Sequence, residues 1–186
     1  MGKIIYKSRF FRITHTIEEE GPHPTIPYDY YDDAFTITIL IHGNGCCYIE
    51  GNCYPLSDGD LVLLGLDEIR SFQFDQDGYH ERISIYFSES ILSPLWDYEL
   101  PLLTMFRVHP PGIGNKYSPG DYEIAKTQKL LSELCCMLKE TKNSLSEARI
   151  HLLLLQLLFT LYDAHNKLSL PAAGYHSDPV IMDICR

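Results

Sequence analysis

The stretch Phe35 to Ser88 constrains this chain most, because it reads as short apolar segments cut apart by glycine turns. Gly43-Asn44-Gly45 and Gly51-Asn52 supply the positive φ that tight hairpins need, and Ser57-Asp58-Gly59-Asp60 carries turn formers ahead of the apolar run Leu61–Leu64. Short, evenly spaced strands of this kind predict a small barrel or sandwich. A closed barrel removes exposed edges and can enclose one small ligand.

The alternation within the stretch assigns faces. Phe35, Ile37, Ile39 and Ile41 fall on one side and Thr36, Thr38, Leu40 and His42 on the other. The apolar side is expected to meet helices or a second sheet, and the threonine side to line an interior. Arg70-Ser71-Phe72-Gln73-Phe74 forms a further strand, and Arg82–Phe87 another, with Ile83, Ile85 and Phe87 opposite Arg82, Ser84 and Tyr86.

Residues 1–27 read as an N-terminal arm, since Phe10, Phe11 and Ile13 fit at most a short strand before the proline-rich Gly21–Pro27. Residues 28–120 read as the barrel with a proline-interrupted segment after it. Residues 121–167 form a helix pair. The first helix runs from Asp121 to about Thr141, and the second opens with a capping box, Ser144 and Glu147, and continues to about Lys167. The short loop between them makes the helices antiparallel neighbours. Apolar residues surround most of the second helix, so it is expected either to be buried completely by the barrel and the first helix or to be covered on one side by a second copy of the chain, through Leu152, Leu155, Phe159 and Tyr162. Residues 168–186 read as a linker, followed by a helix start at Asp178-Pro179.

Composition excludes several classes. The formal net charge of −10 disfavours direct contact with phosphate backbones. No run of eighteen apolar residues and no signal-peptide pattern is present, so the expected location is cytoplasmic, with no membrane partner. The six cysteines contain no CxxC pair and read as reduced thiols. There is no His-x-His, nucleophile elbow, P-loop or dinucleotide fingerprint, so neither a cofactor nor a catalytic residue is assigned.

The run Ile37–Gly45, followed by Tyr48–Leu64, resembles the sensor domain of AraC-type transcriptional regulators, which belongs to the cupin superfamily. The resemblance covers about residues 28 to 167, and the start of a helix at Asp178 resembles the entry to that family's DNA-binding domain. It implies a mainly β jelly-roll barrel followed by an antiparallel helix pair. It also implies a homodimer, a small polar metabolite (a sugar or small acid) as effector, and DNA contact only through a C-terminal domain outside this chain. Metal-binding cupins hold their ion on imidazoles and a carboxylate; the matching positions here are Tyr30, Asp32, Thr36 and Arg70, so no metal is expected. The effector-binding candidates are Tyr30, Thr36, Thr38, Arg70, Phe72 and Tyr86, with Leu40 and Ser84 beside them. Arg70 is expected either to meet an acidic ligand group or to pair with Glu68 or Asp67. His42 and His80 read as surface or turn residues. Two other readings stay open: a stand-alone, metal-free cupin enzyme of the isomerase type, and a purely dimerising module with a filled barrel.

Overall fold

A computed structural model of the chain describes residues 3–8, 10–18, 34–75, 78–98, 100–118, 120, 124–137 and 143–169. Among the described residues, nine strands form two sheets. The larger contains β1 (Lys3–Lys7), β2 (Phe11–Glu18), β3 (Phe35–His42), β6 (Leu61–Leu64), β8 (His80–Phe87) and β9 (Lys116–Tyr117), in the order β1-β2-β8-β3-β6-β9. The smaller has β4 (Gly45–Ile49), β5 (Asn52–Leu56) and β7 (Arg70–Phe74), in the order β5-β4-β7. Leu40, Val62 and Leu64 of the larger sheet pack with Cys47, Ile49, Leu56, Phe72 and Phe74 of the smaller, so the sheets face each other as a jelly roll.

β3 runs antiparallel to both its neighbours, β8 and β6, and both its faces are buried from Phe35 to Leu40. Its outer face, with Ile83, Ile85 and Phe87 of β8, forms the main core together with the helices. Ile41 leaves that face: the pairing with β8 shifts register between Leu40 and His42, and Ile41 becomes exposed. The turn that follows requires glycine. Gly43 has φ of 117°, and a Cβ there would stand 2.8 Å from the Cβ of His80.

The structure corrects the reading of residues 1–27 as an arm. Over Lys3–Glu18 the chain is two strands, and β2 pairs with β8 along its full length from Phe11↔Phe87 to Glu18↔His80. Phe11 and Ile13 alternate into the core, and the prolines begin only beyond Glu18. The segment after the barrel is also more ordered than its prolines imply. A 3-10 helix, Glu89–Tyr98, accommodates Pro94, and α1 (Thr104–Arg107) and β9 follow. Ile91, Leu92, Leu102, Leu103, Met105 and Phe106 from this segment join the main core.

Buried Glu68 ties that segment to the barrel. Its carboxylate accepts hydrogen bonds from the backbone N–H of Gly65 at 2.6 Å and of Gly112 at 3.1 Å, and from Nδ2 of Asn115 at 2.9 Å. These are charge-assisted bonds in a buried setting, where an unmatched donor is costly.

The helix pair is α2 (Ile124–Met137) and α3 (Ser144–Ser169). The cap of α3 lies one residue earlier than the sequence suggested: Asn143 Oδ1 accepts from Ser146 N at 2.8 Å while Ser146 Oγ accepts from Asn143 N at 3.0 Å. This is a capping box with Asn143 at N-cap, a residue type at least as good there as Ser144. Over Ser144–Lys167, α3 is long and apolar enough to cross a membrane. Here it is a core helix, with Ile150, Leu154, Leu157, Leu158, Leu161 and Ala164 buried. The linker and helix expected over residues 170–186 lie outside the described residues.

Glu68→Gln replaces one acceptor oxygen by an N–H donor that faces other donors. It is expected to lower unfolding stability by about 1.5–3 kcal/mol, read as a shift in urea midpoint; an unchanged midpoint would show that this junction does not hold the fold.

Candidate functional site

The register of the larger sheet places four cross-strand rows on its inner face. Arg12, Tyr86, Thr36 and Leu64 form one, and Thr14, Ser84, Thr38 and Val62 the next. Thr16, Arg82 and Leu40 form a third, and Glu18 and His80 end the series. Opposite them, β7 and β4 contribute Arg70 beside Ile49, Phe72 beside Cys47, and Phe74 beside Gly45. The small sheet thus offers a mostly apolar wall and the large sheet a polar one.

Contacts within this interior are specific. Thr38 Oγ1 and Ser84 Oγ lie 2.9 Å apart, and Thr14 Oγ1 donates to the Ser84 carbonyl at 3.4 Å. The Arg82 guanidinium reaches across to the small sheet, 4.8 Å from the Phe72 ring and 5.2 Å from the Phe74 ring, and that of Arg12 lies 4.2 Å over the Tyr86 ring. Both are cation–π placements. Burial pushes the Cys47 thiol up to about 12 against the opposing pull of Arg70 and Arg82, so Cys47 is a neutral wall residue. Thr36 is fully buried, and its hydroxyl has no hydrogen-bond partner among the described residues.

The structure brings Thr36, Thr38, Arg70, Phe72 and Tyr86 together on facing inner surfaces. Tyr30 and Asp32 lie outside the described residues. Arg70 is 2% exposed and makes no ion pair with Glu68, whose oxygens are taken by Gly65, Gly112 and Asn115. Sequence reading missed Arg12, Arg82 and Cys47. Arg82 shares the correct face with Ser84 and Tyr86, so period alone could have found it; Arg12 becomes visible only once β2 is paired with β8.

At one end of the barrel a cleft of about 720 Å³ opens between the β3–β4 turn, the β5–β6 turn and the start of β8. His42 Nδ1 lies 3.1 Å from Asp58 Oδ2, and the other Asp58 oxygen accepts from Gly43 N at 2.7 Å. The His42 ring stacks on Tyr79, whose hydroxyl donates to Glu81 at 2.7 Å, and Glu81 meets His15 Nε2 at 2.8 Å. His80 corrects its reading as a surface or turn residue: it is 1% exposed, stacked on Phe74 at 3.7 Å and 3.6 Å from a Glu18 oxygen. It faces inward because β8 begins at His80, two residues before the alternation visible in the sequence. Among the described residues, no group of three or more His, Cys, Asp and Glu side chains is placed to hold a metal ion.

The helix surface also departs from expectation. Leu155 is 5% exposed and belongs to the core against the barrel, because it follows Leu154 on the inward arc of α3. Tyr162 is half-buried, whereas Leu152 is 65% exposed and Phe159 39%. With Leu145 they form an exposed stripe at seven-residue spacing, interleaved by exposed Arg149, Gln156 and Asp163.

No family model and no curated protein matches the sequence. Solved structures do resemble it. An RmlC-like cupin family protein with a double-stranded β-helix fold from Methanocaldococcus jannaschii aligns at 15% identity and TM-score 0.42, covering 47% of this chain and 79% of that one. A cupin protein from Bacteroides fragilis aligns at 17% identity and TM-score 0.40, over 44% and 69%. KdgF from a Halomonas species aligns at 14% identity and TM-score 0.41, over 47% and 79%. These are likenesses of the barrel fold, spanning about half of this chain.

The Glu81 carboxyl is held below its ordinary value of 4.5, first by the Tyr79 hydroxyl and then by His15. A carboxylate depressed in the folded state adds stability above about pH 4.5, which is lost as the pH falls through its lowered value. Glu81→Gln is therefore expected to reduce stability at pH 7 and to flatten the decline between pH 5 and pH 3, followed by urea midpoints; parallel curves for the two proteins would refute this.

Proposed function

We propose that this chain is the effector-sensing and dimerising part of an AraC-type transcriptional regulator, acting in the cytoplasm and reaching DNA only through a C-terminal helix-turn-helix domain. The observation that carries the reading is the double role of β3. Thr36 and Thr38 face the polar interior while Phe35, Ile37 and Ile39, on the same strand, seat the helix side of the core. A ligand bound against the threonines would bias the packing of the strand on which the helices rest, which is the differential contact that coupling requires.

The effector would be a small polar metabolite, a sugar or small acid, held by Thr36, Thr38, Arg70, Phe72 and Tyr86. Arg12, Arg82 and the Thr38–Ser84 hydroxyl pair extend the set. Hydroxyls, fixed guanidiniums and aromatic faces supply the few placed polar groups that such a site uses within an apolar wall.

Dimerisation would run through the outer stripe of α3. With two copies antiparallel about an axis near Gln156, Arg149 of one faces Asp163 of the other and Leu152 faces Phe159, so the stripe is complementary to itself. Leu155, being in the core, would unfold the domain rather than split a dimer.

A metal-free enzyme is the second reading, favoured by the end cleft, where the His42–Asp58 pair stands beside Tyr79 as an acid–base set would.

A thermal-shift screen of sugars and small acids tests the sensor. A hit at a hundred times its Kd should stabilise by about 2.7 kcal/mol, and both Arg70→Ala and Thr36→Val should lose the shift. Absence of any hit, or shifts that survive both variants, would overturn the site. Turnover of a hit that disappears in His42→Ala would establish the enzyme instead. For the dimer, Leu152→Glu with Phe159→Glu should halve the mass by light scattering at unchanged helicity; an unaltered dimer would reject the α3 stripe.

A further inference from the structure

The hairpin of β4 and β5 carries two thiols on the face turned away from the barrel. Tyr48 pairs with Cys53 and Cys46 with Pro55, so Cys46 and Cys53 are diagonal neighbours on that face, while Cys47 between them in the strand is buried inside. The Cβ atoms of diagonal neighbours in an antiparallel pair stand somewhat closer than their backbones. Cys46 is half-buried and Cys53 exposed, and both are free thiols. The hairpin holding them is stiff. Glu50 and Gly51, with φ of 48° and 82°, close it in two residues, and Pro55 fixes the edge strand opposite Cys46.

We propose that Cys46 and Cys53 form a two-sulfur site for a thiophilic centre, one that takes both sulfurs as ligands, as trivalent arsenic and monovalent d10 metal ions do. Soft centres of this type prefer sulfur to the oxygen and nitrogen donors nearby. Diagonal residues have backbones ~7–8 Å apart, beyond the ~4.4–6.8 Å usual between disulfide-bonded Cα atoms. An inserted centre bridges that span more readily than a direct S–S bond. Among the described residues no third His, Cys or carboxylate completes a ligand group, which leaves the tetrahedral set of structural zinc unmet.

With an arsenic(III) oxide the step is a condensation: two As–S bonds form, the As–O bonds break, and both thiol protons leave with the oxygen as water. Nothing is oxidised or reduced. This suits thiols that stay protonated, as Cys46 does because burial and then Cys53 raise its pKa, since the oxide brings its own proton acceptor. Cys136, exposed on α2, provides an internal control.

The test is titration of the full chain with phenylarsine oxide, counting free thiols with a colorimetric disulfide reagent and adducts by intact mass. One phenylarsine adduct per chain is expected, with two thiols protected. Cys46→Ser and Cys53→Ser should each weaken uptake at least tenfold, and Cys136→Ser should leave it unchanged, with circular dichroism confirming the fold of each variant. A parallel silver(I) titration separates the two classes: uptake of either probe lost in both serine variants supports the site and identifies a metalloid or a d10 cation. Uptake that survives Cys53→Ser, or absence of uptake while peroxide links Cys46 to Cys53 as a disulfide, would overturn it.

Discussion

The rest of the structure depends on the burial of both faces of β3. A strand paired on both edges and covered on both sides has its register fixed strongly, because a one-residue slip would drive Thr36 and Thr38 into the helix-side core and Phe35 and Ile37 into the polar interior. β8 repeats the arrangement beside it, with Ile83 and Ile85 outward and Ser84 inward. The two strands share one orientation, and that shared orientation makes the inner face a continuous polar surface.

The helices reach this wall through intermediaries. The 3-10 segment lies between strand and helix: Ile91 packs into the main core, and its carbonyl accepts from His151 Nε2 of α3 at 2.6 Å. At the far end of α3, the Tyr117 hydroxyl of β9 meets His165 Nδ1 at 2.6 Å. Burial, and then His109, lower the His165 pKa, which favours the neutral ring. Two polar clasps with an apolar seat between them fix the angle of α3 on the barrel.

The parts of this architecture that were legible in the sequence are those in which one period dominates a run of residues. Phe35–Leu40 and Arg82–Phe87 alternate without interruption, so their faces and the inward set Thr36, Thr38, Ser84 and Tyr86 could be assigned before any topology was known. The first two strands were not legible in full, because β1 is flanked by lysines and β2 carries His15 on its apolar face; pairing of β1 with β2 and of β2 with β8 decides their conformation. Asn115 and β9 escaped for a related reason. Two residues do not display a period, and they are held by Asn115 Nδ2 donating to the Leu63 carbonyl and by Glu68. Leu155 shows the converse failure: a helix apolar around most of its circumference does not reveal which leucines its own barrel covers.

The polar interior is difficult to explain by stability alone. A barrel of this size can be filled by aliphatic residues, and a guanidinium removed from water is stabilised only where aromatic faces and hydrogen bonds replace its hydration. Arg82 receives part of that from Phe72 and Phe74, and Arg12 from Tyr86. Thr36, fully buried with no partner for its hydroxyl among the described residues, stands in the same row as Arg12 and Tyr86. In a site kept only for packing, valine would fill that position at lower cost. A hydroxyl retained there is understandable if another molecule completes its hydrogen bond.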